Sequence, residues 1–143
     1  MYKYKHFQTN RAVHLPDADL TVSEVDTGKV MLIPILTDNR VITLPAVEAG
    51  LRYRFIASPT GAASTALGFT ATLTPAPAAN IVNGVLTVNN GGGPPLVAGV
   101  ISKAGAANCV LTATAVKGDY IEIYSDGTYW FVSGASRISN GLS

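Results

Sequence analysis

GDYIEIYSDGTYWFVSG, residues 118–134, holds five of the chain's eleven aromatic residues and its clearest local geometry. Asp126-Gly127 is a dipeptide suited to positive φ, and alternating β-formers flank it on both sides, so the stretch predicts a β-hairpin with a two-residue turn. That loop length sets a register: Ser125 faces Thr128, Tyr124 faces Tyr129, Ile123 faces Trp130, Glu122 faces Phe131 and Ile121 faces Val132. Side chains then sort by parity. Ile121, Ile123, Trp130 and Val132 form a core face, while Tyr120, Glu122, Tyr124, Tyr129 and Phe131 form the other. A half-buried antiparallel hairpin ordinarily shows water a polar second face, and this one shows rings. Three buried rings at about 2 kcal/mol each match much of the net stability of a small domain. The second face is therefore expected to be covered, either by a loop or terminal arm of the same chain or by another subunit.

The rest of the composition favours another subunit. A chain of 143 residues suits one domain and buries most of its apolar surface without disulfide or metal. The single Cys109 has no internal partner and reads as a small buried hydrophobe. Net charge is +1, which points to no general attraction for nucleic acid or anionic membrane. Charged residues are only 13% of the chain, and Phe55 through Ser102 contains none. A solitary soluble protein intersperses charge over its surface, so this neutral tract predicts an exterior covered by neighbours. No apolar run reaches the roughly 18 residues of a membrane span. The opening MYKYKHFQTNR lacks an apolar segment of the secretory kind.

Residues 1–19 read as an extended arm. Tyr2, Tyr4 and His6 alternate with Lys3, Lys5 and Phe7, which suits a strand added to another surface. Residues 20–143 then form a single domain of strands and turns. Leu20 to Val25, Lys29 to Leu36, Val41 to Leu44, Leu51 to Ala57, Gly68 to Thr74, Leu96 to Ile101 and Cys109 to Val116 are predicted strands. Ile81-Val82, Asn83-Gly84 and Val85 to Val88 predict a second tight hairpin. The run Asn89 to Pro95 is a loop; no Lys, Ser or Thr follows its glycines as a phosphate cradle requires. Arg52 and Arg54 give the strand Leu51 to Ala57 a cationic outer side. Eight to ten short strands between Gly, Pro, Asn and Asp turns predict an all-β fold, an antiparallel β-sandwich of jelly-roll type with an N-terminal arm.

Catalytic constellations are sparse, and a non-enzyme with no cofactor and no metal is expected. Five of nine acids fall before residue 40, and Asp119, Glu122 and Asp126 lie in or beside the hairpin. His6 and His14 have no Cys or carboxylate at ligand spacing. No Gly-x-Ser-x-Gly elbow exists, and Cys109 sits in mid-strand. Tyr124, Tyr129 and Phe131 admit a sugar-binding surface, although Glu122 is the only polar group placed beside them.

Ile42-Thr43-Leu44-Pro45, Ala49-Gly50-Leu51-Arg52-Tyr53-Arg54-Phe55 and the long patch Val116 to Gly134 resemble the small β-domains of virion structural proteins in tailed phages and large DNA viruses. These are capsid decoration (cement) proteins, minor capsid proteins and fibre heads, and the resemblance spans roughly residues 41 to 136. It implies a jelly-roll unit on the capsid exterior that binds the major capsid protein or other virion proteins. It also implies a homo-oligomer, with a trimer favoured, and no catalytic residues. The partner surface expected is Tyr2, Lys3, Tyr4, Lys5 and Phe7 of the arm with Arg52, Arg54, Tyr120, Tyr124, Tyr129 and Phe131 of the domain. The alternative implied is a receptor- or glycan-binding head; neither role involves membrane or nucleic acid.

Overall fold

The computed structural model describes residues 12–76, 82–89 and 98–143. The fold is all-β, with eleven strands in two sheets among the described residues. They are β1 Ala12–His14, β2 Leu20–Thr21, β3 Val30–Ile33, β4 Arg40–Thr43, β5 Arg52–Ala57, β6 Ala71–Thr74, β7 Val82–Asn89, β8 Ala98–Ala106, β9 Cys109–Leu111, β10 Tyr120–Ser125 and β11 Trp130–Ser136. The larger sheet has the order β1-β3-β5-β10-β11-β7-β8 and the smaller β2-β4-β6-β9.

The sheets are mixed, which corrects the antiparallel expectation. Five of the nine pairings are parallel: β1 with β3, β3 with β5, β2 with β4, β4 with β6 and β11 with β7. The reason lies in the first half of the chain, where successive strands alternate between sheets. Each passage through the opposite sheet returns the chain in its original direction, so β1, β3 and β5 stack in parallel, as do β2, β4 and β6. Segments such as Asp26-Thr27-Gly28 and Thr37 to Arg40 therefore arch from sheet to sheet instead of folding a strand back on itself. β1 also places the end of the expected arm on β3 of the same chain. Beyond β1, Asp17 and Asp19 tie the chain to the start of β4: Arg40 Nε donates to Asp17 Oδ1 at 2.7 Å and Val41 N to Asp19 Oδ1 at 2.8 Å.

Between the sheets lies one continuous core. Met31, Ile33, Tyr53, Phe55, Ile121, Ile123, Trp130, Val132, Leu86 and Val88 face inward from the larger sheet. Ile42, Ala71, Leu73, Cys109 and Leu111 face them from the smaller. Each large apolar side chain contributes about 1.5–3 kcal/mol when fully buried, so these inward rows decide the parity of every strand. Burial pushes the Cys109 thiol up to about 12, consistent with a packing role. Asp119, 1% exposed, accepts from Val116 N and Ser136 Oγ on Oδ2 and from Arg137 N on Oδ1. These bonds tie the β9–β10 connection to the end of β11.

Several local expectations need correction. Leu20 to Val25 is not one strand: after Thr21 the chain enters a 3-10 turn, Glu24–Asp26, because Ser23 and Asp26 cap each other reciprocally. The strands predicted over Gly68 to Thr74 and Cys109 to Val116 reduce to β6 and β9. Asn83-Gly84 makes no hairpin turn but lies inside β7, beside a register shift between Val82 and Asn83 against β8. Gly84 has φ +145, and a Cβ there would stand 1.9 Å from the Val132 carbonyl oxygen. The glycine serves the close approach of β7 to β11, which is the other use of glycine in a strand.

The β10–β11 hairpin forms with a longer loop than expected. Ser125 pairs with Trp130, Tyr124 with Phe131, Ile123 with Val132, Glu122 with Ser133 and Ile121 with Gly134. Asp126 Oδ1 accepts from both Thr128 N at 2.8 Å and Tyr129 N at 2.9 Å, and within the loop Gly127 alone has positive φ. A side-chain cap on two successive N–H groups thus replaces the two-residue turn. The register slips by two residues, which preserves parity, and Ile121, Ile123, Trp130 and Val132 stay inward.

Candidate functional site

The outer face of the larger sheet is built from the residues that parity turns away from the core. Its strand registers align three rows: Leu32, Ile56, Tyr120, Ala135 and Thr87; Val30, Arg54, Glu122, Ser133 and Val85; and Arg52, Tyr124, Phe131 and Asn83. Rings, aliphatic side chains and three charges share one surface.

Its centre is ordered by specific contacts. Tyr124 and Phe131 lie opposite each other and stack, with centroids 5.2 Å apart and planes 19° from parallel. The Arg54 guanidinium sits 4.3 Å from the Tyr120 ring centroid, a cation–π geometry. Glu122 lies between the arginines: Arg52 Nη2 donates to its Oε1, and Arg54 Nη1 is 3.9 Å from its Oε2. Exposed pairs of this kind contribute about 0–1 kcal/mol, so they add little to the stability of the fold. Arg54 Nε is buried with no acceptor among the described residues.

Two clefts flank the Arg52–Glu122 pair. One, of about 400 Å³, is lined by Gly28, Lys29, Val30, Arg52, Tyr53, Arg54 and Glu122. The second, of about 360 Å³, is lined by Gly50, Leu51, Arg52, Glu122, Tyr124 and Ser125. The residues that follow the 3-10 turn line the first and link it to the turn: Lys29 Nζ binds Asp26 Oδ1 at 2.6 Å, and Gly28 N donates to Arg52 O at 2.7 Å. Below the cleft, burial and the nearby acids Asp26 and Glu24 push the Tyr53 phenol up to about 12.

Of the residues expected at a partner surface, Arg52, Arg54, Tyr120, Tyr124 and Phe131 come together on this face. Tyr129 departs from it, because the longer loop places it in the turn, 44% exposed. Tyr2, Lys3, Tyr4, Lys5 and Phe7 lie outside the described residues. Ile56 lies on the outer side of β5 with Arg52 and Arg54, as alternation along that strand predicts; Leu32, Val30 and Val85 belong to the face and were missed, as was the central position of Glu122. Parallel pairing of β3 with β5 and of β7 with β11 brings the aliphatic residues in, and alternation within one strand does not reveal a pairing partner. Tyr124 remains 50% exposed and Val85 47%, so nothing among the described residues covers the middle of the face. No protein-family profile, curated protein or solved structure matches this chain.

Proposed function

We propose that the chain is a structural protein of a virion, a decoration protein on the capsid exterior that self-associates and bridges neighbouring major capsid subunits. The observation that carries this is the ring-bearing face, which the described residues leave open, with Tyr124 half exposed and stacked on Phe131. A surface of that kind is suited to burial against protein. The sparse charge and the neutral tract from Phe55 to Ser102 support it, as does the resemblance over residues 41 to 136. The mechanism is mechanical: each copy buries modest apolar area against several subunits, and repetition over a lattice sums weak contacts into a strong one. Identity of the sandwich as a jelly roll is part of the same proposal. The antiparallel pairings β5–β10, β10–β11, β7–β8 and β6–β9 agree with it, and the parallel pairs depart from it.

A receptor- or glycan-binding head is the second reading, favoured by exposed Tyr124 beside clefts that hold Arg52 and Glu122. One pair of measurements separates the two. Purified protein incubated with undecorated capsid shells is expected to co-sediment saturably, to lose that binding with Tyr124→Ser and Phe131→Ser together, and to give no signal on a glycan array. Saturable glycan binding with no attachment to shells would overturn the decoration reading.

A further inference from the structure

The turn Ser23 to Asp26 carries a carboxylate and an apolar side chain with no function in its own fold. Val25 is 80% exposed, and Glu24 is exposed with no ion-pair partner among the described residues. The turn is nonetheless capped from both sides. Ser23 Oγ accepts from Val25 N, Asp26 Oδ2 accepts from Ser23 N, and Asp26 is clamped by Lys29. An exposed hydrophobe held on a doubly capped turn is presented at little entropic cost.

Beside it lies its chemical complement. The neighbouring cleft carries Arg52, whose side chain is 64% exposed and engages Glu122 through one Nη, and Arg54, whose side chain is 43% exposed. Turn and cleft are joined directly, because Arg52 N donates to Thr27 Oγ1 at 3.0 Å and Gly28 N to Arg52 O. An acidic projection and a basic recess are thus adjacent on one surface. A two-fold axis between them brings each projection to the other copy's recess, and this isologous contact closes on itself.

We propose that two copies of this chain pair about a two-fold axis, each seating its Glu24–Val25 turn in the partner copy's Arg52–Arg54 cleft. Glu24 meets the exposed Arg52 guanidinium at the mouth of the cleft, and Val25 buries against Val30 at the cleft wall. The proposal rests on the self-association in the preceding reading and not on the virion role. It gives a pair where the resemblance implies three copies.

Sedimentation equilibrium and native mass measurement test it on the full chain with Glu24→Arg, Arg52→Glu and Val25→Asp, each checked by its urea midpoint. The wild type is expected to be a dimer, and each variant to associate at least tenfold more weakly while keeping its fold. A mixture of Glu24→Arg with Arg52→Glu restores opposite charges at both contacts, so a one-to-one heterodimer is expected. Wild-type association unchanged in Glu24→Arg and Val25→Asp, a mixture that stays monomeric, or a wild-type trimer would overturn this contact. A wild type that is monomeric at every concentration would overturn the self-association reading along with it.

Discussion

The two outer faces of the sandwich are made by the same parity rule and come out chemically opposite. On the larger sheet the outward rows carry Tyr120, Tyr124 and Phe131 with Arg52, Arg54 and Glu122. On the smaller sheet they carry Thr21, Thr43 and Thr74 in one row and Val41, Thr72 and Val110 in the next. β-branched residues suit a strand whatever lies beyond it, and threonine hydroxyls remain hydrated, so the second face is stable as it stands. Rings gain most when water is removed from them, and the guanidinium groups beside them can be buried with them where a carboxylate takes the place of water. The contrast separates a face that ends the molecule from one suited to continue into a neighbour.

Four experiments break or sharpen that contrast, the largest effect first. Gly84→Ala attacks the seam that joins β7 and β8 to the rest of the larger sheet, since the new Cβ would fall 1.9 Å from the Val132 carbonyl oxygen. It is expected to cost about 3 kcal/mol in urea unfolding. Tyr124→Ser with Phe131→Ser removes the stacked pair and should weaken attachment to capsid shells at least tenfold, about 1.4 kcal/mol, with the fold retained. Thr43→Ala with Thr72→Ala, on the opposite face, should leave attachment unchanged, and an equal loss from both pairs would erase the distinction.

The third experiment uses pH. Bonds from the Arg40 and Thr37 side chains hold Asp17 down to about 2, below the ordinary carboxylate value of about 3.9. A depressed folded-state value means stability present above about pH 4 and lost as pH falls toward 2, so Asp17→Asn should flatten that part of the acid limb in urea midpoints taken from pH 5 to 2. The smaller sheet keeps this charge at its margin and not on its face. Smallest of all, Thr72→Val should change stability by no more than about 0.5 kcal/mol in urea unfolding.

Much of the ring-bearing surface was legible in the sequence because parity is robust. Trp130 points inward and Phe131 outward whether the β10–β11 loop has two residues or four, since both give the same alternation. Loop length itself was not legible, because Asp126 has two uses that composition does not distinguish: a residue of a tight turn, or a carboxylate capping the N–H groups of Thr128 and Tyr129. Gly84 was misread for the same reason, as a glycine after asparagine serves a turn or a close strand crossing equally well. The parallel first half escaped altogether. Gly, Asp and Asn mark a reversal within a sheet and an arch between sheets alike, and only the packing of β1, β3 and β5 decides. The Glu24–Val25 turn was hidden inside an apparent alternation from Leu20 to Val25 that its own caps interrupt.

The place of β11 in the strand order shapes how the chain reaches its native state. β7 and β8 are antiparallel partners complete by residue 106, yet among the described strands their only neighbour in the larger sheet is β11, residues 130–136. That pair joins the larger sheet only through β11, by a parallel pairing between segments far apart in sequence. Refolding should therefore be slow for a domain of this size.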